Sequence, residues 1–173
     1  LQKMKETGLY AVSLGIESGS ERILKHMKKN STKQKIEEKI NLINKFNLDI
    51  IGFFIIGYPT ETLQDIEQTI DFACKLPLTR VSFMTFKPFP GAEATNLIMD
   101  EIKEKDLKLE NFALNRVVYS PKGISEKQLT KLRHKALRKF YFRPKIIYRM
   151  VKEFKSIEHM KYVTKRAYKW LLK

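Results

Sequence analysis

The chain has 173 residues, of which 43% are hydrophobic and 31% charged, and its formal net charge is +15 at pH 7. That length holds one core of ordinary size with a smaller appendage, and it contains neither a run of about 18 apolar residues that would span a bilayer nor a charged-then-apolar start of the signal-peptide kind. A single cysteine, Cys74, excludes an internal disulfide framework and any multi-cysteine metal site built by this chain alone. A reducing, cytoplasmic setting is therefore expected.

The charge is unevenly placed. Residues 1–115 hold 16 Lys/Arg and 16 Asp/Glu, whereas residues 116–173 hold 18 and 3. Such a shift predicts a boundary near residue 116, separating an α/β part (1–115) from a basic amphipathic helical extension (116–173).

Leu1-Gln-Lys-Met-Lys-Glu-Thr-Gly8 has the pattern of the last turns of a helix stopped by Gly8. A chain opening inside a helix carries the expectation that a natural N-terminal part precedes it. Tyr10–Ile16 alternates, with Val12, Leu14 and Ile16 on one face and Ser13, Gly15 and Glu17 on the other. In a barrel the apolar set packs against outer helices and the small polar set faces the lumen. Ser20 is placed to cap a short helix through Met27. Ser31-x-x-Gln34 predicts a capping box for a longer one, whose buried stripe is Ile36, Ile40 and Ile43.

Ile50–Tyr58 is almost wholly apolar, as a central strand covered on both faces would be. Thr62-x-x-Asp65 starts the next helix, with Ile66, Ile70, Ala73 and Cys74 as its stripe and Pro77 as its stop. Val81–Phe86 is the third strand, closed by Lys87-Pro-Phe-Pro-Gly-Ala92. Strand, helix, strand, helix, strand in this order argues for parallel crossover units. The outer edge of the Tyr10–Ile16 strand would need a partner to cover it.

Beyond residue 95 the pattern predicts a helix over Asn96–Lys108 and a short strand over Phe112–Tyr119. Ser125-x-x-Gln128 is a further capping box, leading into Leu129, Leu132, Ala136, Leu137 and Phe140. Pro144 suits a first helical turn before Ile146, Ile147, Met150, Val151 and Phe154, and Ser156 could cap a last helix through Trp170.

Three motifs end these strands: Gly15-Ile-Glu-Ser-Gly-Ser20 with Met27-x-Lys29 downstream, Ile55-Ile-Gly-Tyr-Pro-Thr-Glu-Thr62, and Phe86-Lys-Pro-Phe-Pro-Gly91. Together they resemble the second half of a radical S-adenosylmethionine (SAM) domain. The subgroup that often carries an N-terminal cobalamin-binding domain is the nearest likeness, and Phe140-Tyr-Phe-Arg-Pro144 resembles its helical extension. The resemblance implies strands four to six of a partial (β/α)6 TIM-like barrel, and cleavage of SAM by a [4Fe–4S] cluster to a 5′-deoxyadenosyl radical. Cobalamin-dependent methyl transfer or cyclisation is a further implication, with a small-molecule or lipid-like substrate.

By position, the resemblance assigns Glu17 and Ser18 to the ribose or methionyl part of SAM, with Ser13 on the same lumen face. Lys29 would meet the SAM carboxylate, Ile55 and Gly57 would offer backbone beside the adenine, and Phe86, Lys87 and Pro88 would contact it from the last strand. The chemistry suits those residue types: a carboxylate accepts from hydroxyls, a cation pairs with a carboxylate, and glycine permits close approach.

The departures are as informative. The three cysteines of the family's C-x3-C-x2-C cluster motif are absent, as is the Gly-Gly-Glu element that holds the SAM amine, and Phe53 stands where some relatives have Asp or Asn. Cluster ligation is expected from a missing N-terminal half of the barrel. Cys74, on an apolar stripe, is expected to be an inert thiol. His26, His134 and His159 lack metal-ligand spacing, and the phenylalanines of the third strand are expected in packing.

Two other readings stay open at this stage. A non-catalytic, degenerate barrel module could use the basic helices to bind nucleic acid or an anionic membrane, which would make it membrane-peripheral. Another α/β barrel with a phosphate site at its strand ends is disfavoured by the lack of a glycine-rich phosphate loop.

Overall fold

A computed structural model describes residues 1–102, 113, 116–152 and 161. The elements are α1 (Gln2–Glu6), β1 (Ala11–Glu17), α2 (Glu21–His26), α3 (Lys33–Asn44), β2 (Asp49–Ile56), α4 (Leu63–Lys75), β3 (Arg80–Thr85), α5 (Glu93–Asn96), α6 (Glu126–Tyr141) and α7 (Pro144–Lys152). The strands form one parallel sheet in the order β1-β2-β3. The fold is α/β, with the three predicted strands side by side and running the same way.

Side-chain alternation along β2 divides the sheet into two faces. Ile50, Gly52, Phe54 and Ile56 are buried, whereas Ile51, Phe53 and Ile55 are only half-buried. The first set meets Ile36 and Ile40 of α3, Ile66, Ile70 and Ala73 of α4, and Leu129, Ala136 and Phe140 of α6 in one core. Phe54 and Phe83 stack there with ring centroids 5.0 Å apart. Each large apolar side chain fully removed from water stabilises the fold by roughly 1.5–3 kcal/mol.

A strand covered on both faces was the expectation for Ile50–Tyr58. One of its faces lies under α3, α4 and α6; on the other, Ile51, Phe53 and Ile55 are half-buried, Ile55 against the cluster of Ile23, Tyr58, Phe86 and Ile98. Ser13 pairs with Ile51, Gly15 with Phe53, Phe53 with Ser82 and Ile55 with Met84. In-register residues of parallel strands point to the same side, so this set forms the other, open face.

Helix starts follow their side chains. Ser20, Thr62 and Ser125 cap α2, α4 and α6 by accepting from Ile23 N, Asp65 N and Gln128 N, and Thr62 with Asp65 makes a reciprocal box. The cap of α3 is Thr32, not Ser31: Thr32 Oγ1 accepts from Lys35 N at 3.2 Å. Ser31 N is instead drawn into a turn on Lys29 O, leaving the extended backbone of a cap to the next residue.

Two predictions after residue 95 are also corrected. The helix expected at Asn96–Lys108 is the four-residue α5, which begins earlier and ends at Asn96; residues 97–102 are in turns, and 103–108 lie outside the described residues. No strand forms at Ala113 or residues 116–119, the described part of the one expected at Phe112–Tyr119. There the carbonyls of Ala113 and Arg116 accept from the Lys87 ammonium instead of a strand partner. Phe154 and the helix predicted from Ser156 to Trp170 lie, Lys161 apart, outside the described residues.

α6 is built into the same core as the sheet. Its Lys135 and Lys139 meet Glu67 and Asp71 of α4, each at 2.5 Å, and Arg143 donates to Cys74 O. Part of the basic charge after residue 116 therefore answers acids before it. No helix among the described residues is long and apolar enough to cross a membrane.

Candidate site at the carboxyl ends of the strands

The end of β1 departs from regular geometry. Its register with β2 slips between Gly15 and Glu17, and Glu17 has φ +69°. A residue with a side chain in the left-handed region costs roughly 1–2 kcal/mol, and such strain concentrates where function needs it. The Glu17 carboxylate folds back over Gly15 and accepts from Lys29 Nζ at 3.3 Å. Both side chains are partly exposed, at 24% and 37%, so the pair remains open to an exchange of partners.

Lys29 is delivered by the end of α2. Lys28 has φ +52°, its N–H donates to Lys25 O, and Lys29 N donates to Leu24 O at 2.9 Å. These two bonds are those of a Schellman stop, here with lysine where glycine is usual.

At the end of β2, Gly57 has φ +76° and a Cβ on it would lie 2.5 Å from Leu129 Cδ2. What approaches this glycine closely is α6, not an open cavity. Its N–H and that of Tyr58 donate to Glu61 Oε2, the latter at 3.1 Å. Glu61 is buried, and among the described residues its Oε1 has no hydrogen-bond partner. Burial outweighs the two amide bonds and raises its pKa to about 8. Glu61 stands in the motif that follows β2, and the signal in it is a carboxylate four and three residues after the strand-end amides of Gly57 and Tyr58.

The third strand ends in packing. Phe86 sits edge-on to Tyr58 and Tyr119, with centroids 5.3 and 5.9 Å away, and Pro88 is buried. Lys87 Nζ donates to Ala113 O at 3.1 Å and to Arg116 O; burial first, then Arg133 and Arg116, lowers its pKa. Phe86 and Pro88 are thus packed and Lys87 is spent on the carbonyls of Ala113 and Arg116; Phe86 belongs to the cluster with Ile23, Tyr58, Ile98 and Tyr119 against which Ile55 packs.

The predicted set therefore divides. Ser13, Glu17, Lys29 and Ile55 gather on or beside the open face, with Ser13 exposed and Ile55 half-buried. Ser18 does not: it is fully buried, and its hydroxyl meets Thr69 Oγ1 at 3.0 Å and accepts from Ser20 N at 3.1 Å. It faces α4 because it continues the side of β1 that carries Leu14 and Ile16, the side the helices cover.

Zwitterion and hydroxyl chemistry suits Glu17 with Lys29: one accepts, the other offers a cation. An iron–sulfur cluster does not fit the residues of this chain. Its single thiol, Cys74, is half-buried on α4 and raised in pKa by burial against the opposing pull of Arg143 and Lys139. Among the described residues no group of three or more His, Cys, Asp or Glu could hold a metal.

A three-stranded parallel sheet thus carries a strained carboxylate at the carboxyl end of its first strand, with a cation from the end of α2 beside it. Residues 1–73 match the model of the Radical SAM superfamily. The chain is 35% identical to an uncharacterized methyltransferase of Pyrococcus horikoshii over 98% of its own length and 36% of the relative's. It is 33% identical to a tRNA-2-methylthio-N(6)-dimethylallyladenosine synthase of Ehrlichia canis, over 66% of its length and 29% of the relative's. The same identity holds for the synthase of that name from Legionella pneumophila, over 66% and 27%. The chain belongs to the radical SAM superfamily, whose members use SAM and a [4Fe–4S] cluster. It spans about a third of the length of these curated relatives.

Proposed function

We propose that this chain forms one wall of the SAM site of a radical SAM enzyme. In this reading a partial (β/α)6 barrel is completed by residues outside the chain, the cluster ligands among them. Glu17 accepts from the ribose hydroxyls, Lys29 pairs with the SAM carboxylate, Ser13 lines the floor, and the backbone of Ile55 lies near the adenine. The relatives' names point to methyl or methylthio transfer as the reaction class of the whole protein; they lend no support to cobalamin, and the reading does not call on it. The observation that carries the proposal is Glu17, strained in the left-handed region with its carboxylate turned toward Lys29 on the open face.

Calorimetric titration of SAM into the natural full-length protein tests it. Glu17→Ala and Lys29→Met should each weaken binding about tenfold, the worth of one charge-assisted contact. Wild-type affinity in both variants would overturn the assignment.

The outer face of α6 favours a second reading for the basic region. Lys127, Lys131 and Arg138 are exposed on the side opposite Leu129, Ala136 and Phe140, a cationic stripe suited to a polyanion such as nucleic acid or an anionic membrane. Binding to RNA or to anionic vesicles should then fall with salt and survive Glu17→Ala. No binding at about 50 mM salt rules the stripe out.

A further inference from the structure

Three residues, Ser18, Gly19 and Ser20, join Glu17 to α2, and the Ser18 hydroxyl, the Gly19 N–H and the Ser20 hydroxyl all bond to α4. Thr69 Oγ1 donates to Asp65 O at 2.9 Å, one helical turn back. It therefore has only lone pairs left for the turn. They accept from Gly19 N at 2.9 Å and, with the Thr69 proton already committed, from the Ser18 hydroxyl at 3.0 Å. A hydroxyl has one proton and two acceptor sites, so Thr69 is saturated.

Ser20 Oγ donates to Asp65 Oδ1 at 2.6 Å, while Asp65 Oδ2 accepts from Thr62 N at 2.9 Å, from Thr62 Oγ1 at 2.6 Å, and from Arg22. The fit is also steric. A Cβ on Gly19 would lie 2.6 Å from Gln68 O and from Phe72 Cβ. Ser18, Ser20, Asp65 and Thr69 are all buried, so water offers the turn no alternative partners.

We propose that Thr69 and Asp65 are positioning residues for the SAM site: by anchoring the Ser18–Ser20 turn to α4 they hold Glu17 in its left-handed conformation and aim its carboxylate at Lys29. The inference rests on the reading of Glu17 as a SAM contact and deepens it. Released from α4, Glu17 relaxes to negative φ, which swings its side chain off the site. Among the described residues, neither Thr69 nor Asp65 bonds to Glu17 or Lys29; their partners lie in the turn, in α2 and at the start of α4.

The test is SAM binding by calorimetry on the natural full-length protein, with circular dichroism and thermal melting alongside. Thr69→Val keeps the shape but removes every acceptor; it should bind SAM about tenfold more weakly at a temperature where it is fully folded, a typical penalty for a misplaced contact. Thr69→Ser, which keeps the oxygen, should return binding to within about twofold of wild type. A merely structural role would lower the melting temperature of Thr69→Val and leave its affinity intact, and that result overturns the inference. Should Thr69→Val not fold, Ser18→Ala, which removes one bond of the anchor, takes its place: weaker binding by the folded variant supports the inference and wild-type affinity refutes it. Glu17→Ala separates the two levels. If it binds normally, the site reading itself fails; if it binds weakly while the anchor variants bind normally, only the positioning role fails.

Discussion

Glu61 and Asp65 sit four residues apart, both buried, and burial drives the pKa of each upward. For Glu61 burial wins, and the value reaches about 8 against an ordinary 4.5. For Asp65 the bonds from Arg22, Ser20 and Thr62 outweigh burial and hold the carboxyl well below the usual carboxylate range. The consequences for stability have opposite sign. The unfolded chain ionises Glu61 first, so its contribution is complete below about pH 4.5 and is lost as pH rises toward about 8. Glu61→Gln keeps an oxygen for the two amides and removes the titration. Denaturant melts at a series of pH values should show a flatter profile between these limits for the variant than for the wild type. Asp65 contributes above the ordinary carboxylate range and loses its contribution as pH falls through its depressed value. Asp65→Asn should therefore cost about 1–3 kcal/mol at neutral pH, the worth of a buried, charge-assisted network, with the deficit shrinking in acid. The spacing Thr62-x-x-Asp65 marked the helix-start part of the Asp65 network, but neither its bonds to Ser20 and Arg22 nor the burial of Glu61 was legible beforehand. A lone Glu in a turn motif is an ordinary surface residue until the fold buries it.

The helix ends show where local chemistry suffices and where it falls short. Thr62 with Asp65 forms its capping box as the spacing predicts, and Thr62→Ala should cost about 1 kcal/mol in a thermal melt. Ser31-x-x-Gln34 matches the same pattern, yet Thr32 is the cap. Two neighbouring hydroxyl residues satisfy the local rule equally, and the turn from Lys29 decides between them. The stop of α2 is a different case, with Lys28 forced to φ +52° by the Schellman bonds that place Lys29. Its ion pair to Glu93 joins side chains about 70% exposed, 71% and 70%, and such a pair contributes little. Lys28→Gly should therefore stabilise the protein by about 0.5–1 kcal/mol, visible as a higher melting temperature, because glycine enters this region without steric cost.

Across the whole molecule, α6 matters more than its charge implies. Phe140 is fully buried in the core shared with β2, β3 and α4, so Phe140→Ala should cost about 3–5 kcal/mol in equilibrium unfolding. By contrast, the Lys135–Glu67 and Lys139–Asp71 pairs are partly exposed and should add well under 1 kcal/mol each, an amount that added salt erodes. The amino-acid sequence by itself determined the three strands, the helices between them and the face each buries, because a period of two or 3.6 and a capping hydroxyl act within a few residues. It also marked Glu17 and Lys29, whose motifs end those elements. Only the tertiary structure decided that Ser18 turns inward to Thr69, that Leu129 fills the space above Gly57, and that Glu61 is sealed from water. Each of these depends on which distant element arrives at the position, and contacts such as Ser18–Thr69, across 51 residues, or Gly57–Leu129 leave no periodicity to read.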